Sequence, residues 1–228
     1  MRRVRIAALV LLPLLAGCAD APSAPTPDES GWTVLFGGTD ASGWRTYGED
    51  ALRPQWRVVG GALTLTAPGG GDITTGTIYE DFELEVEWMV EPGGNSGLFY
   101  GVDPAGAQPA WQTGLEYQLL DDAGHADGQD PMTSAGAVYG LYPAPRGAVR
   151  PGGTWNTAKL TVRDGGVVHV LNGVETARYQ VGSEDFRGRV SASKFAEYDS
   201  FAVTTEGLIV LQDHDDRVAF RSVRVRAL

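Results

Sequence analysis

The chain has 228 residues, of which 31 are glycine and 13 are proline, and this excess of turn-forming residues disfavours a helical bundle. Hydrophobic residues make up 43% and charged residues 21%, which is enough apolar material for a real core and argues against wholesale disorder. The formal net charge is −11 and no basic stripe is present, so we expect no nucleic-acid partner, because an acidic surface repels phosphate backbones.

The N-terminus has the pattern of a bacterial export signal. Arginines near the start precede an apolar run at 6–15, and about ten apolar residues are too few to cross a bilayer, which needs roughly 20. The run ends in Leu-Ala-Gly-Cys at 15–18, which resembles the lipobox of bacterial lipoproteins, and Cys18 is the one cysteine of the chain. We therefore expect 1–17 to be a cleaved signal peptide. A lipid on Cys18 would anchor the exported protein to the cell envelope, in the periplasm or at the outer membrane.

A short linker and a single β-rich domain are predicted for the rest of the chain. Residues 18–30 contain three prolines among small and acidic residues, which is typical of an extended tether, and the domain is expected at 31–228. Apolar residues alternate with glutamates over 82–88, the pattern of a half-buried antiparallel strand. Similar runs predict strands at 32–36, 55–59, 62–66, 97–101, 115–120, 137–141, 158–163, 167–171, 208–212 and 218–225.

Turn chemistry supports the same fold class. Asp164-Gly165 and Asn172-Gly173 predict tight primed turns that join three consecutive strands into a meander. No stretch of about 12 residues keeps a helical stripe, although 183–186 can form one helical turn. At least ten short strands in one domain therefore predict an all-β fold, a two-sheet sandwich or jelly roll.

Polar side chains accompany three of the predicted strands and mark a candidate site. Asn95 enters the strand at 97–101 and can present an amide to a polyhydroxylated ligand. Glu116 and Gln118 share one face of the strand at 115–120, about 7 Å apart, which suggests a lined groove. Gln212 and His214 alternate at the end of the strand at 208–212, and an imidazole among aspartates is suited to proton transfer.

Other residues offer weaker signals. Asp121, His125 and Asp127 have side chains compatible with a divalent metal, the one cofactor that the sequence suggests, although such residues are also common in plain loops. Lys194 is one of two lysines and by itself is typical of a surface residue. No Gly-x-Ser-x-Gly elbow, His-Glu-x-x-His motif or phosphate-binding glycine loop is present, which disfavours acyl transfer and nucleotide chemistry.

An ordered set of short motifs spans nearly the whole chain after the tether. These are Trp-Thr-Val-Leu-Phe at 32–36, Gly-Trp at 43–44, Tyr-Glu-Asp-Phe-Glu-Leu at 79–84, Gly-Asn-Ser-Gly at 94–97, Glu-Tyr-Gln at 116–118, Gly-Ala-Val-Tyr at 136–139, Trp-Asn at 155–156, Leu-Asn-Gly at 171–173, Ser-Lys-Phe at 193–195, Leu-Gln-Asp-His at 211–214 and Phe-Arg at 220–221. In this order they resemble the bacterial 3-keto-disaccharide hydrolase domain family, formerly known as DUF1080. The resemblance implies a concanavalin-like jelly roll, often on exported or lipid-anchored proteins, that acts on glycosides oxidised at C3. Family members often have arginine where this chain has Gly101, and asparagine where it has Ser222.

The resemblance also implies a chemistry. A ketone at C3 acidifies the C2 proton, so a base can remove that proton, an acid can assist the C1 oxygen as it leaves, and water can add to the resulting enone. On this basis we expect His214 or Lys194 to be the base and Glu116 to be the acid or to orient the sugar. The residues expected to bind the sugar are Asn95, Gln118, Tyr139 and Gln212, through its hydroxyls, and Trp111, by stacking. A sugar 3-oxidoreductase would supply the substrate.

Two alternatives remain open from the sequence. The same scaffold can serve as a non-catalytic, lectin-like carbohydrate-binding module, since a fold does not imply catalysis. A conventional glycoside hydrolase would need two carboxyl groups roughly 5 to 10 Å apart. Glu116 can be the first, but the sequence offers no equally placed second, because Glu83, Glu85 and Glu87 have the pattern of a solvated strand face.

Overall fold

Thirteen strands form two antiparallel sheets in the computed structural model, which describes residues 26–228. The strands are β1 (Thr33–Phe36), β2 (Arg45–Thr46), β3 (Trp56–Val59), β4 (Ala62–Leu65), β5 (Ile73–Tyr79), β6 (Phe82–Val90), β7 (Asn95–Val102), β8 (Leu115–Leu120), β9 (Asn156–Arg163), β10 (Gly166–Leu171), β11 (Val174–Gln180), β12 (Gly207–Leu211) and β13 (Val218–Ala227). The predicted signal peptide, Cys18 and most of the predicted tether lie outside the described residues. Within 26–228, no helix combines the length and the apolar character needed to span a membrane.

The two sheets stack as a concanavalin-like jelly roll, which confirms the predicted fold class. The larger sheet has the order β11-β10-β9-β6-β13-β4-β3, and β1 also pairs with β13. The smaller sheet has the order β2-β5-β12-β7-β8. Neighbouring strands in this sheet come from distant parts of the chain, so the fold brings β7, β8 and β12 side by side.

The core lies between the sheets and is built by alternation along the strands. In β6, Phe82, Leu84 and Val86 are buried while the glutamates between them face outward. Leu98 and Tyr117 belong to the same core cluster from the smaller sheet. Each fully buried side chain of this size contributes about 1.5–3 kcal/mol relative to an exposed one, so the two inner faces hold the sandwich together.

The outer face of β6 is an ion-pair ladder rather than the plain solvated face that the sequence suggested. Arg221 lies 2.9 Å from Glu87 and Arg224 lies 2.5 Å from Glu85, while Glu83 pairs with Arg226 and Lys159. The partners come from β13 and β9, which flank β6 in the sheet, so the sequence of β6 alone does not show the pairing. Pairs of this exposure contribute about 0–1 kcal/mol each.

Both predicted primed turns are confirmed. Asp164 and Gly165 have φ values of 50° and 73°, and Asn172 and Gly173 have 49° and 86°. A type I′ turn needs positive φ at both central residues, which asparagine, aspartate and glycine tolerate. The turns join β9, β10 and β11 into the expected meander.

One predicted strand is wrong, one predicted helical turn is part of a longer helix, and two strands were not predicted. Residues 137–141 form no regular strand, because Gly136 and Gly140 have φ values of 85° and 69° and bend the chain, leaving isolated bridges at Val138. The helical turn at 183–186 extends into helix α1 (Glu184–Ser191), capped by the hydroxyl of Ser183. Strands β2 and β5 were not predicted; β5 contains Gly76 at φ 75°, which interrupts its alternation. Short 3₁₀ helices occupy Ala110–Gln112, Ala126–Gln129 and Lys194–Glu197.

His169 is a core residue that ties a surface loop to both sheets. Its ring is fully buried and stacks on Tyr117 with centroids 4.2 Å apart. Burial lowers the pKa of His169 to about 3, so the ring is neutral; Nδ1 donates to the carbonyl of Gly136 at 3.2 Å, and Nε2 accepts from the hydroxyl of Tyr100 at 2.8 Å. Gly136 begins the segment that runs beside β8.

We expect His169→Phe to lower the free energy of unfolding by about 1–3 kcal/mol at pH 7, because it keeps a stacking ring but loses both hydrogen bonds. The folded pKa of His169, about 3, lies below the ordinary value of 6.5, so wild-type stability present above pH 6.5 is lost as pH falls through 3. The variant should lack this component. Urea unfolding at several pH values measures both effects, with exposed His214→Asn as the control. An unchanged acid dependence in His169→Phe would contradict the assignment.

Candidate active site

A cavity of about 530 Å³ opens on the outer face of the smaller sheet. All eight residues that the sequence analysis assigned to catalysis or sugar binding line it. The lining residues are Asp72, Asn95, Pro109, Trp111, Glu116, Gln118, Asp127, Tyr139, Lys194, Phe195, Glu197, Tyr198, Gln212, Asp213 and His214. Strand pairing explains the convergence, because β7, β8 and β12 are neighbours and each turns alternate side chains away from the core.

Three amide side chains form the most unusual part of the cavity wall. Asn95 comes from β7, Gln118 from β8 and Gln212 from the residue after β12. Each has a buried amide oxygen with no hydrogen-bond partner among residues 26–228. An unsatisfied buried polar atom costs about 1–3 kcal/mol, so three together favour a ligand, or water in its place, that donates hydrogen bonds.

Gly97 lies at the centre of this wall and leaves room for two of its polar groups. It pairs with Gln118 across the sheet, and its carbonyl accepts from the backbone N–H of Gln212 at 2.9 Å. A Cβ on Gly97 would lie 2.6 Å from Oε1 of Glu116 and 3.0 Å from Oε1 of Gln212. The missing side chain therefore allows the carboxyl and the amide to pack over the strand.

The surroundings of Glu116 raise the pKa of its carboxyl group strongly. Burial raises the pKa of Glu116 to about 8; the positive charge of Lys194 opposes this shift, and the negative charges of Asp72 and Asp127 add to it. At neutral pH most molecules therefore hold Glu116 as a neutral acid. A protonated carboxyl group in a cavity can donate a proton or a hydrogen bond to a ligand.

Aromatic rings and one ammonium group form the opposite wall. The Nζ of Lys194 lies 4.5 Å from the ring centroid of Tyr139 and 5.8 Å from that of Trp111, and Tyr198 meets Trp111 edge-on at 5.1 Å. Burial raises the pKa of Tyr139 to about 12, with the charges of Asp127 and Glu116 adding to the shift, so its hydroxyl stays protonated. This wall offers a ring face, a hydroxyl and a cation to a bound molecule.

A small apolar cluster supports the aromatic wall from below. The cluster consists of Phe99, Val102, Ala110, Leu208 and Val210, and Trp111 and Tyr47 pack against it. It covers the part of the outer sheet face beside the amides. The same face is therefore apolar under Trp111 and polar at Glu116, which suits a ligand with one ring face to stack and hydroxyls to bind.

Tyr139 reaches the cavity because its loop runs beside β8. The backbone N–H of Tyr139 donates to the carbonyl of Glu116 at 3.1 Å, and that of Gly136 donates to the carbonyl of Gln118 at 2.9 Å. His169 holds the other side of the loop through the carbonyl of Gly136. The wrongly predicted strand thus still lies along β8, but with a bend that turns Tyr139 towards Glu116.

The three candidate metal ligands do not come together in the cavity. Of its three candidates only Asp127 lines the cavity, and within the described chain no group of three or more metal-ligating side chains is arranged to hold an ion. The loop uses these groups itself: Nδ1 of His125 accepts from the N–H of Asp127 at 3.1 Å, and a carboxylate oxygen of Asp121 accepts from the N–H of Gly93 at 2.8 Å. These residues do not fit a metal centre, so the mechanism below uses none.

The sequence analysis did not assign five acidic or aromatic residues that line the cavity. They are Asp72, Phe195, Glu197, Tyr198 and Asp213, and Asp72 is a second carboxyl group beside Glu116 that the sequence did not offer. Asp72 follows three glycines that have the pattern of a plain turn, and it joins Glu116 only through the pairing of distant strands.

Comparison with known proteins gives a consistent assignment. The model of the 3-keto-alpha-glucoside-1,2-lyase-like domain matches residues 31–226. A 3-keto-disaccharide hydrolase of Bacteroides thetaiotaomicron is 33% identical over 232 residues, which cover 88% of this chain and 80% of the relative.

Solved structures share the fold. A candidate glycosyl hydrolase from Parabacteroides distasonis superposes with a TM-score of 0.81 at 30% identity, covering 87% of this chain and 94% of that one. A second one from the same organism gives a TM-score of 0.63 at 24% identity, covering 81% and 99%, and shows the fold alone. The jelly roll of this chain is therefore found in crystal structures of similar proteins.

We expect Gly97→Ala to disturb the cavity more than the fold. The added methyl group must displace Glu116 or Gln212, and overpacking of this kind costs about 1–3 kcal/mol. Because either shift moves a polar group of the cavity away from a bound sugar, we expect kcat/KM for a glycoside substrate to fall by about tenfold or more. Gly188→Ala is the matched control, because its Cβ would meet nothing within 4 Å. Equal activity of the two variants would show that the space at Gly97 is not needed.

Proposed function

The chain belongs to the 3-keto-alpha-glucoside-1,2-lyase-like family, and from this premise we propose that it cleaves the glycosidic bond of 3-keto-disaccharides and related 3-keto-glycosides. The observation that carries the proposal is that Glu116, whose pKa is raised to about 8 by burial, lines one cavity together with Lys194, three amide side chains and Trp111. The name of the Bacteroides thetaiotaomicron relative supports the same substrate class.

The proposed reaction is elimination followed by hydration. A base removes the C2 proton, which the C3 ketone makes acidic, and negative charge develops on the C3 oxygen. The C1–O bond then breaks, a C1=C2 double bond forms and the carbonyl at C3 returns. Water adds to C1 while C2 regains a proton, so the net change is hydrolysis.

Glu116 is assigned as the acid that protonates the departing C1 oxygen. Its pKa of about 8 keeps the proton available at neutral pH, and general acids positioned in this way typically accelerate reactions by about 10²–10⁴-fold. A carboxyl group with an ordinary pKa would be ionised under the same conditions and could not donate. The half-buried position of Glu116 in the cavity wall is thus suited to this role.

Lys194 is assigned to the negative charge that develops on the C3 oxygen, and His214 is assigned to proton exchange with solvent. The ammonium group of Lys194 can stabilise the enolate oxygen, as preorganised donors do in other enolate-forming sites. His214, at the exposed rim of the cavity, can exchange protons with solvent. Both were expected from the sequence as candidate bases, and both line the cavity.

The remaining groups are assigned to substrate binding. The unpartnered amide oxygens of Asn95, Gln118 and Gln212 can each accept from a sugar hydroxyl. Trp111 can stack on the apolar face of a pyranose ring, and the hydroxyl of Tyr139 can donate to a sugar oxygen. A disaccharide has many hydroxyls and few charges, which matches this set.

A conventional two-carboxylate hydrolase is the second candidate, because Asp72 and Glu116 line one cavity. Their raised pKa values, about 6 and about 8, give an ionised and a protonated carboxyl group together near pH 7. Such an enzyme would need no ketone and would cleave the unoxidised sugar equally well. A lectin-like module is less well supported, since binding alone does not require an acid held protonated.

The setting of the reaction is also proposed. Export and a lipid anchor at Cys18 are supported by residues 1–18 alone. A 3-keto sugar must arise by oxidation of a secondary alcohol, so a sugar 3-oxidoreductase is the class of enzyme that would supply the substrate. The released 3-keto sugar would then need a reductase of the same type.

The central test compares a 3-keto-disaccharide with its unoxidised parent, measuring sugar release by the purified protein. We expect cleavage of the keto substrate alone, and Glu116→Gln should lower kcat by about 10²–10⁴-fold. Activity should fall as pH rises through about 8, because Glu116 then loses the proton that it donates. Glu80→Gln, at an exposed position outside the cavity, is the control.

Three outcomes decide between the candidates. Equal cleavage of the unoxidised parent would replace the proposal with two-carboxylate hydrolysis. Binding of either sugar without cleavage would favour the carbohydrate-binding module. Unchanged rates in Glu116→Gln, with cleavage of the keto substrate retained, would remove Glu116 from the mechanism but leave the substrate class in place.

A further inference from the structure

Asp72 is a carboxylate of the cavity wall that the mechanism above leaves unused. It precedes β5, and one carboxylate oxygen accepts from the backbone N–H of Asp213 at 3.0 Å. Asp213 in turn accepts from the backbone N–H of Gly71 at 2.7 Å. These two hydrogen bonds join the segment at 71–72 to Asp213, which fixes Asp72 relative to the end of β12.

The second oxygen of Asp72 is free. No hydrogen bond to Oδ2 and no lysine, arginine or histidine within 4.0 Å of the carboxylate is found among residues 26–228. In Asp213, by contrast, both oxygens accept from backbone N–H groups, at Gly71 and Asp215. Of these two aspartates, only Asp72 can offer an unused, rigidly held oxygen to a ligand.

The nitrogen groups of the cavity are less suited to removing a proton. Lys194 lies over the ring of Tyr139, so its Nζ is already engaged by an aromatic face. His214 is exposed at the rim, whereas Asp72 is partly buried. A base held in the wall meets the substrate at a defined place, which is a main source of catalytic rate.

We propose that Asp72, rather than Lys194 or His214, is the base that removes the C2 proton of the bound 3-keto-glycoside. This assignment rests on the proposed function and adds to it a catalytic residue. It also gives the second carboxyl group of the cavity a role that differs from that in two-carboxylate hydrolysis.

The proton and electron balance closes with these two carboxyl groups. Asp72 takes the C2 proton and becomes neutral, and the C–H electron pair forms the enolate. As the C1–O bond breaks, Glu116 gives its proton to the leaving oxygen and becomes a carboxylate. The proton on Asp72 exchanges with solvent while the enone is bound. When water adds to C1, Glu116 takes a proton from that water and Asp72 gives a solvent-derived proton to C2, which restores both groups.

The pKa values of the two carboxyl groups agree with Asp72 as the base and Glu116 as the acid. Burial raises the pKa of Asp72 to about 6, the hydrogen bond from Asp213 opposes the shift, and the charge of Asp213 adds to it. Asp72 is thus mostly ionised at neutral pH while Glu116 is mostly protonated. Two carboxyl groups whose surroundings separate their pKa values are a recurring arrangement for a base and an acid.

The test isolates proton removal from bond cleavage. A 1,5-anhydro-3-ketohexitol has an acidic C2 proton but no exocyclic leaving group at C1, so the base can exchange this proton with D₂O without cleaving a glycosidic bond. NMR of the probe with the full-length wild-type protein should show C2 exchange above the uncatalysed rate. Asp72→Asn, which keeps the acceptor for Asp213, should lower the exchange rate by about 100-fold or more.

Two further variants keep the test decisive. Asp50→Asn, an exposed aspartate outside the cavity, should exchange like wild type. Asp72→Ala should lose exchange and regain part of it when sodium formate is added, because formate can replace the missing carboxylate. A structural role for Asp72 predicts no such rescue, and melting temperatures report whether each variant is folded.

Different experimental results would overturn the assignment of Asp72 as the base and the proposed function. Wild-type cleavage of a 3-keto-disaccharide with full C2 exchange in Asp72→Asn overturns Asp72 as the base and leaves the function in place. Loss of exchange in Lys194→Met or His214→Ala, but not in Asp72→Asn, assigns the base to that nitrogen group instead. A wild-type protein that neither exchanges the probe nor cleaves the keto substrate rejects both proposals.

Discussion

The burial of Glu116 on the outer face of a strand is the constraint on which the site depends. A carboxyl group removed from water resists ionisation, and this raises its pKa to about 8. Three amide oxygens lie unpartnered beside it, each at a cost to stability of about 1–3 kcal/mol. A fold can keep such groups only if the rest of its packing offsets the cost, and here the core between the two sheets does so.

The scaffold also explains why the site stays in place. Gly97 makes room for Glu116 and Gln212, and the apolar cluster under Trp111 supports the aromatic wall. The loop that carries Tyr139 is bonded to β8 on one side and to His169 on the other. The positions of the carboxyl group, the amides and the aromatic rings thus follow from strand pairing and from one buried imidazole, so the geometry of the cavity is a property of the sandwich.

The sequence was sufficient for the fold class and for most of the residues that line the cavity, and its failures have physical causes. Alternation along 115–120 placed Glu116 and Gln118 on one face, and family resemblance added Lys194, Tyr139 and Trp111, which line the same cavity. Asp72 was missed because only the pairing of distant strands brings it to Glu116. The residue pattern left a divalent metal open at Asp121, His125 and Asp127, because it does not show the loop hydrogen bonds that His125 and Asp121 accept.

The most direct test of this account is the fate of the C2 proton when the wild-type protein cleaves a 3-keto-disaccharide in D₂O. Mass spectrometry and NMR of the released keto sugar at short reaction times, corrected for its uncatalysed exchange, give the deuterium content at C2. Elimination and hydration predict one deuterium at C2 in each product molecule, because the proton is removed and replaced from solvent. Retention of the original C2 proton would show direct displacement at C1 and would contradict the mechanism.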